Sequence, residues 1–326
     1  MRAMRLHSPG SPLLLEELGD PVPGPGEVVL EVATCGVCRT DLHIFDGELA
    51  APSLPLTLGH QVVGRVATAD DAVAEEGARL GVPWLGWACG ECDQCLAGRE
   101  NLCPRARFTG LHQDGGFATH IVADARFCLP LPDGLDDIAV APLLCAGLIG
   151  WRALRRAGDA ELLGLYGFGA SAHIICQIAR FQGRRVFAFT RTGDQTTQAF
   201  ARSLGAVWAG DAESAPPEPL GAAIVFAPAG ELVPQALRAV APGGTVVLAG
   251  IHMTEIPSMP YATIWGERTL ASVANLTRAD GRDILELAPR AGVRTEVHPY
   301  PLERANEALE DLRAGRFDGA AVLEIS

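Results

Sequence analysis

The sequence predicts an α/β chain in two parts, a β-rich N-terminal part and a doubly wound parallel sheet after it. Up to Cys145 the chain reads as short apolar, β-branched-rich segments separated by Gly and Pro turns. From Ala146 onward strand-like segments alternate with amphipathic helices, the order that builds a parallel sheet.

In the first part, strands are expected at 27–33, 61–67 and 117–122. The second part opens on a strand at 162–166 and a helix at 170–181, with Ile174, Ile175 and Ile178 on its buried face. Strands are expected at 185–189, 222–226, 245–249 and 269–274, and helices at 195–204 and 232–240. The Pro-rich stretch 215–220 reads as a surface loop between strands. In the tail, 275–326, a helix is expected near 302–314 and a last strand at 320–325.

Composition narrows the function classes. The chain has 326 residues, enough for two domains, and its 48% hydrophobic and 20% charged residues are those of a globular protein. A net charge of -13 argues against nucleic acid or an anionic membrane as partner. All 26 basic residues are Arg, which excludes Schiff-base chemistry, a phosphate-loop Lys and a Lys general base. No apolar stretch in residues 1–12 suits a signal peptide, and the longest apolar run, 138–151, is interrupted by Pro142, Gly147 and Gly150. A cytoplasmic protein is expected. Nine Cys in such a protein point to metal or catalysis more than to disulfides.

Cys89-x2-Cys92-x2-Cys95-x7-Cys103 has the spacing of a four-thiolate zinc site. With four protein ligands such a site has no open position and can only hold its loop together. A nucleic-acid-binding finger does not fit, because residues 86–104 carry only Arg99. Cys38, His60 and Cys145 are dispersed ligand-type residues. Two thiolates and one imidazole would leave zinc one free position, as a catalytic site needs. Cys35 forms a Cys-x-x-Cys with Cys38, for which a thioredoxin-like redox pair is the alternative. Gly167-Phe168-Gly169-Ala170-Ser171-Ala172, between a strand and a helix, reads as a dinucleotide fingerprint whose glycines let the backbone approach a pyrophosphate.

Cys35-x-x-Cys38-Arg39-Thr40-Asp41-Leu42-His43, Gly59-His60, the four-Cys loop and Leu143-Leu144-Cys145-Ala146-Gly147 resemble, in order and spacing, the zinc-dependent alcohol dehydrogenases of the medium-chain dehydrogenase/reductase superfamily. The resemblance covers the whole chain. It implies a GroES-like β-rich catalytic domain from both chain ends, 1–147 and 276–326, with a Rossmann domain, 148–275, inserted. It also implies two zinc ions per chain and hydride transfer between an alcohol or aldehyde and a nicotinamide dinucleotide.

Carried over by position, Cys38, His60 and Cys145 resemble the catalytic zinc ligands, and Cys89, Cys92, Cys95 and Cys103 the structural ones. Thr40 and His43 resemble the proton relay, and Asp41 the carboxylate that orients the ligand His. Arg39, Gly167, Gly169, Ala170 and Ser171 resemble cofactor-binding positions, and Phe45, Leu49 and Trp84 substrate-pocket positions that core packing explains equally well. Three positions depart from the family pattern: Gln61 stands for the usual Glu, Ile149 for a frequent Thr, and the tail 315–320, Gly-Arg-Phe-Asp-Gly-Ala, lacks the Arg that many members place against the cofactor phosphate.

After the strand at 185–189, the acid that normally holds the adenosine ribose of NAD is missing, and Thr190-Arg191-Thr192 stands instead. A preference for NADP(H) over NAD(H) is therefore expected, with Thr190 donating to a 2′-phosphate and Arg191 pairing with it. The competing readings are a polyol or thiol-adduct dehydrogenase of the same superfamily, and a dinucleotide-sensing protein without turnover. The apolar stretch 256–274 suggests a homodimer or homotetramer.

Overall fold

The computed structural model describes residues 1–70 and 73–325. One unit comprises Met1–Ala146, Asn275–Pro289 and Thr295–Ser326, and a second Gly147–Ala274 and Arg290–Arg294.

The first unit opens with β1 (Arg2–Leu6), β2 (Leu14–Glu17), β3 (Glu27–Val37) and helix α1 (Arg39–Phe45). Then come β4 (Leu56–Thr57), β5 (Val62–Ala69), β6 (Arg79–Val82), β7 (Leu85–Trp87) and α2 (Asp93–Leu96). The elements β8 (Arg107–Phe108), β9 (His120–Asp124), β10 (Leu129–Pro130) and α3 (Asp137–Val140) complete this stretch. Its centre is β3, four residues longer than its sequence pattern suggests. One edge of β3 pairs with β5 along its length, with two register irregularities that bend it. The other edge pairs first with β9. The end of β3 delivers Cys38 to the start of α1. The strand expected at 117–122 begins at His120 instead. Phe117 leaves the ladder because its N–H bonds Leu58 while its carbonyl accepts from Met4.

The second unit follows the alternating sequence pattern, with one strand, Trp208–Asp211, that the pattern did not show and two that begin earlier than expected, at Leu220 and Val240. The interrupted apolar run 138–151 divides into most of α3, the 3-10 turn Ala141–Leu144 and the start of α4 (Ala146–Arg156), in which Gly150 is a close-packing position. A Cβ there would stand 2.4 Å from Ile175. After it come β11 (Leu162–Tyr166), α5 (Ala170–Phe181), β12 (Arg185–Thr190), α6 (Gln195–Ser203), β13 (Trp208–Asp211) and β14 (Leu220–Val225). The unit continues with α7 (Leu232–Ala239), β15 (Val240–Leu248) and β16 (Thr269–Ser272). The six strands are all parallel, in the order β13-β12-β11-β14-β15-β16, the doubly wound order with its switch point beside β11. Strands covered on both faces read as apolar runs, and Tyr166, Phe187, Phe189, Leu237 and Val246 form part of their core.

The tail holds α8 (Arg278–Arg290), β17 (Val297–Pro301), α9 (Ala305–Ala314) and β18 (Ala320–Glu324). The residues Leu302–Arg304, expected as helix, form a 3-10 turn before α9. The strand β18 returns to β3, pairing Ala321–Glu324 with Val37–Thr34. β17 tolerates Pro299 and Pro301 because it is the edge strand. Among the described residues no single helix is long and apolar enough to cross a membrane.

Candidate metal centres and cofactor loop

Cysteine spacing becomes geometry in the loop after β7. Gly90 and Gly98, both with positive φ, turn the chain around α2, so that the four Sγ atoms of Cys89, Cys92, Cys95 and Cys103 lie within 4.8 Å of one another. Cys89 is 3.8 Å from Cys95 and 3.5 Å from Cys103. Bonds of about 2.3 Å put tetrahedral thiolates roughly 3.8 Å apart, so the set fits one zinc ion. Backbone donation from Glu91 draws the Cys89 thiol down to about 6, whereas burial pushes Cys95 up to about 12. The loop is tied down by Glu100, which accepts from the Arg278 backbone N–H at 3.0 Å and from its Nε at 3.2 Å.

The second cluster is assembled from three separate turns. Cys38 caps α1: its Sγ accepts from Thr40 N–H at 3.3 Å, while Asp41 Oδ2 accepts from Cys38 N–H at 2.9 Å, a reciprocal capping box. Gly59 brings in His60. Its φ is +94, and a Cβ would stand 2.4 Å from Phe117 and 2.8 Å from Cys35 Sγ, so only glycine fits. Cys145 ends the buried 3-10 turn Ala141–Leu144. The ligand atoms of Cys38, His60 and Cys145 lie within 4.8 Å of one another, with Cys38 Sγ 3.1 Å from His60 Nε2.

Asp41 is fully buried, and its Oδ1 accepts from Gly59 N–H at 3.1 Å and faces His60 Nδ1 at 3.2 Å. That imidazole nitrogen lacks full hydrogen-bond alignment. A hydrogen bond from Cys145 holds the Cys38 thiol well below the ordinary thiol range, helped by the positive His60, while the same bond and burial push Cys145 up. Burial alone would lower His60, but the Cys38 and Asp41 charges outweigh it and raise it to about 10. A thiolate, an imidazole and a second thiol make three ligands, a donor set that would leave a tetrahedral zinc one position for substrate.

The other expected residues are placed as follows. Trp84 is buried edge-on to His60, ring centroids 4.8 Å apart. Phe45 lies beneath the Arg313 guanidinium on α9, a packing role, and Leu49 donates its N–H to the His43 carbonyl. His43 Nδ1 meets Glu48. Cys35 is fully buried with its Sγ towards its own neighbour's carbonyl, a packing position. Gln61 is buried and packs across Gly36.

In the second unit Gly167 has φ +85, and a Cβ there would strike Ala227 at 2.9 Å. Gly169 caps α5 with nothing within 4 Å of a Cβ position, leaving room in front of a helix N-terminus that carries Ala170 and Ser171. Thr190 corrects the sequence reading. Its hydroxyl is buried, has the Arg191 carbonyl at 3.1 Å and the Gly210 carbonyl at 3.5 Å as acceptors for its one proton, and accepts from Gln198, so it serves the fold. Asp194 caps α6. Arg191 and Arg39 are exposed and form no ion pair among the described residues. Sequence reasoning missed Asp211. In register with Thr190 on the neighbouring strand, its Oδ1 accepts from Gly193 N–H and the Gln198 amide.

Residues 24–133 match the family model of the alcohol dehydrogenase GroES-like domain. A protein of Mycobacterium tuberculosis named as a probable alcohol dehydrogenase is 43% identical, over all of this chain and 97% of its own length. A cobalt- and zinc-bound thermostable alcohol dehydrogenase from Pyrobaculum aerophilum superposes with a TM-score of 0.90 at 25% identity, covering 99% of both chains. A protein of Sinorhizobium meliloti described as a zinc-binding dehydrogenase, solved with NADP, matches at 0.88 and 27% identity, covering 99% of this chain and 98% of its own.

Proposed function

The chain belongs to the zinc-dependent alcohol dehydrogenases of the medium-chain dehydrogenase/reductase superfamily, and we propose that its own residues divide the work of that activity as follows. It is an oxidoreductase that moves a hydride reversibly between an alcohol and an aldehyde or ketone, with zinc and NAD(P) as cofactors. When bound, zinc supplies Lewis acidity towards the substrate oxygen and the nicotinamide supplies the hydride acceptor.

Cys38, His60 and Cys145 hold the catalytic metal, and Asp41 orients His60. The Thr40 hydroxyl takes the proton of the alcohol and His43 passes it towards solvent. Trp84 and Leu49 shape the substrate side, with Phe45 packing behind. Gly167, Gly169, Ala170 and Ser171 receive the pyrophosphate, and Arg39 and Arg191 pair with cofactor phosphates. Residues 1–147 and 276–326 act as catalytic domain and 148–275 as dinucleotide domain. Nine cysteines, six of them grouped in the two metal-ligand sets, suit a cytoplasmic setting. Exposed Ile251, Ile256, Tyr261 and Trp265 support a homodimer or homotetramer.

One observation carries the reading: two separate donor sets, one of four sulfurs and one of three ligands, each close enough for a single metal ion. The experiment is metal analysis with variants. Two zinc ions per active chain are expected. Cys38→Ser should abolish turnover and keep one zinc in a folded chain, whereas Cys92→Ser should cost stability directly. One zinc per fully active chain would overturn it.

A further inference from the structure

His43 lies in the last turn of α1 with its side chain only 13% exposed, and its Nδ1 is 2.5 Å from Glu48 Oε2. The backbone brings Glu48 there. After α1 the chain reverses at Gly47, with φ +79, a conformation that favours glycine. Asp46 N–H donates to Leu42, Gly47 N–H to Ile44, and Leu49 N–H to the carbonyl of His43 itself at 3.0 Å. From α9, Arg313 donates to both oxygens of Asp46 at 2.8 and 2.9 Å and covers the Phe45 ring. The turn that carries Glu48 is therefore fixed on two sides.

A neutral imidazole carries one proton, and the partner of one nitrogen decides which nitrogen holds it. A carboxylate only accepts. Glu48 therefore keeps the proton on Nδ1, and Nε2 becomes the nitrogen with an accepting lone pair. We propose that Glu48 is a positioning residue for proton exit, fixing His43 as the Nδ1–H form so that Nε2 receives the proton arriving from Thr40. The inference rests on the relay reading of His43 given above. One proton enters at Nε2 and the imidazolium is held beside the Glu48 carboxylate; one proton is then lost to water past that half-exposed group, and exchange with solvent returns the remaining proton to Nδ1 before the next turnover. No oxidant or further reactant is needed.

The test uses the zinc-loaded enzyme and the variants Glu48→Ala, Glu48→Gln and His43→Gln, with two zinc ions per chain verified in each. Nitrogen-15 NMR in alkaline buffer, with His43→Gln assigning the signal, should find wild-type His43 as the Nδ1–H form and Glu48→Ala as a mixture. The amide oxygen of Glu48→Gln can still accept, so that variant should restore the Nδ1–H form and most of the rate. For alcohol oxidation, Glu48→Ala should lower kcat about tenfold with KM unchanged, a part of the roughly 10²–10⁴-fold that a general acid–base group contributes. His43→Gln should lower it further. An Nε2–H form in the wild type, a Glu48→Ala enzyme with wild-type tautomer and rate, or a Glu48→Gln enzyme no better than Glu48→Ala would overturn the proposal. If the tautomer shifts as expected but His43→Gln keeps full kcat, the relay reading itself falls, and the proposal with it.

Discussion

Asp41 faces His60 Nδ1 at 3.2 Å with the same oxygen that accepts the Gly59 N–H, while its other oxygen caps α1 at Cys38. One buried carboxylate thus sets the turn of one metal-binding residue and the ring of another. Asp41→Asn should keep much of the fold, since an amide oxygen can still accept a backbone N–H. It offers His60 no charge, however, and zinc affinity should fall roughly 10–100-fold. Chelator competition measures this directly. An unchanged affinity would reduce Asp41 to a helix cap.

Glu100, between Cys95 and Cys103, makes the corresponding link for the four-cysteine loop. It accepts from the Arg278 backbone N–H and Nε, and Arg278 lies over Phe127 at 4.8 Å. Burial alone would raise the Glu100 carboxyl, but donation from its own backbone and from Arg278 outweighs burial and lowers it. Glu100→Ala leaves the first turn of α8 without this acceptor. A loss of about 1–3 kcal/mol is expected in denaturant unfolding, together with faster zinc loss from the loop and little change in kcat. Slower turnover at full zinc content would contradict a purely structural link.

How much of this was legible in the sequence depended on whether the signal was local. The residues 162–166 and 170–181 have the observed bounds, because an apolar run ending in Gly and an Ile-rich 3.6 period are self-contained signals. The helix α8 was missed. Gly281 and Pro289 mask it, yet Gly281 is needed where a Cβ would meet Leu129 at 2.7 Å. Its start was readable: Thr277 and Asp280 exchange hydrogen bonds as a capping pair. The metal-binding residues were legible as motifs, but Glu48 and Asp211 were not. Each matters only because a turn or a neighbouring strand brings it beside a residue that does carry a motif.

His173 gives the fold an acid-sensitive point. It is fully buried in the first turn of α5, and burial pulls its pKa from 6.5 to about 4. The unfolded chain takes up a proton as pH falls through 6.5, while the native chain does so only near 4. Stability is therefore complete above pH 6.5 and declines as pH is lowered towards 4, by on the order of 3 kcal/mol. In His173→Gln this part of the decline should vanish. Unfolding midpoints across that range compare the two. Parallel curves would mean that other groups control acid unfolding.

Cofactor preference turns on the end of β12. Arg191 is exposed there and suits bidentate pairing with a 2′-phosphate. Against it stands the Asp211 carboxylate, in register with Thr190 and held by Gly193 N–H at 3.0 Å and the Gln198 amide at 2.9 Å. Two donors on one oxygen soften its repulsion of a phosphate without removing it. Thr190→Asp is a poor test, because its carboxylate would meet the Arg191 and Gly210 carbonyls that the hydroxyl now serves. Arg191→Ala and Asp211→Asn are better, since the first faces solvent and the second keeps an acceptor for Gly193. Wild-type kcat/KM should be higher with NADP(H) than with NAD(H). Arg191→Ala should cost NADP(H) about 2 kcal/mol, as for a hydrogen bond to a charged group, and leave NAD(H) nearly unchanged. Asp211→Asn should favour NADP(H) further, because it removes a negative charge in register with Thr190 and keeps the loop in place. A wild type faster with NAD(H), indifferent to Arg191→Ala and turned towards NADP(H) only by Asp211→Asn, would mean that Asp211 supplies the acid missing from position 190.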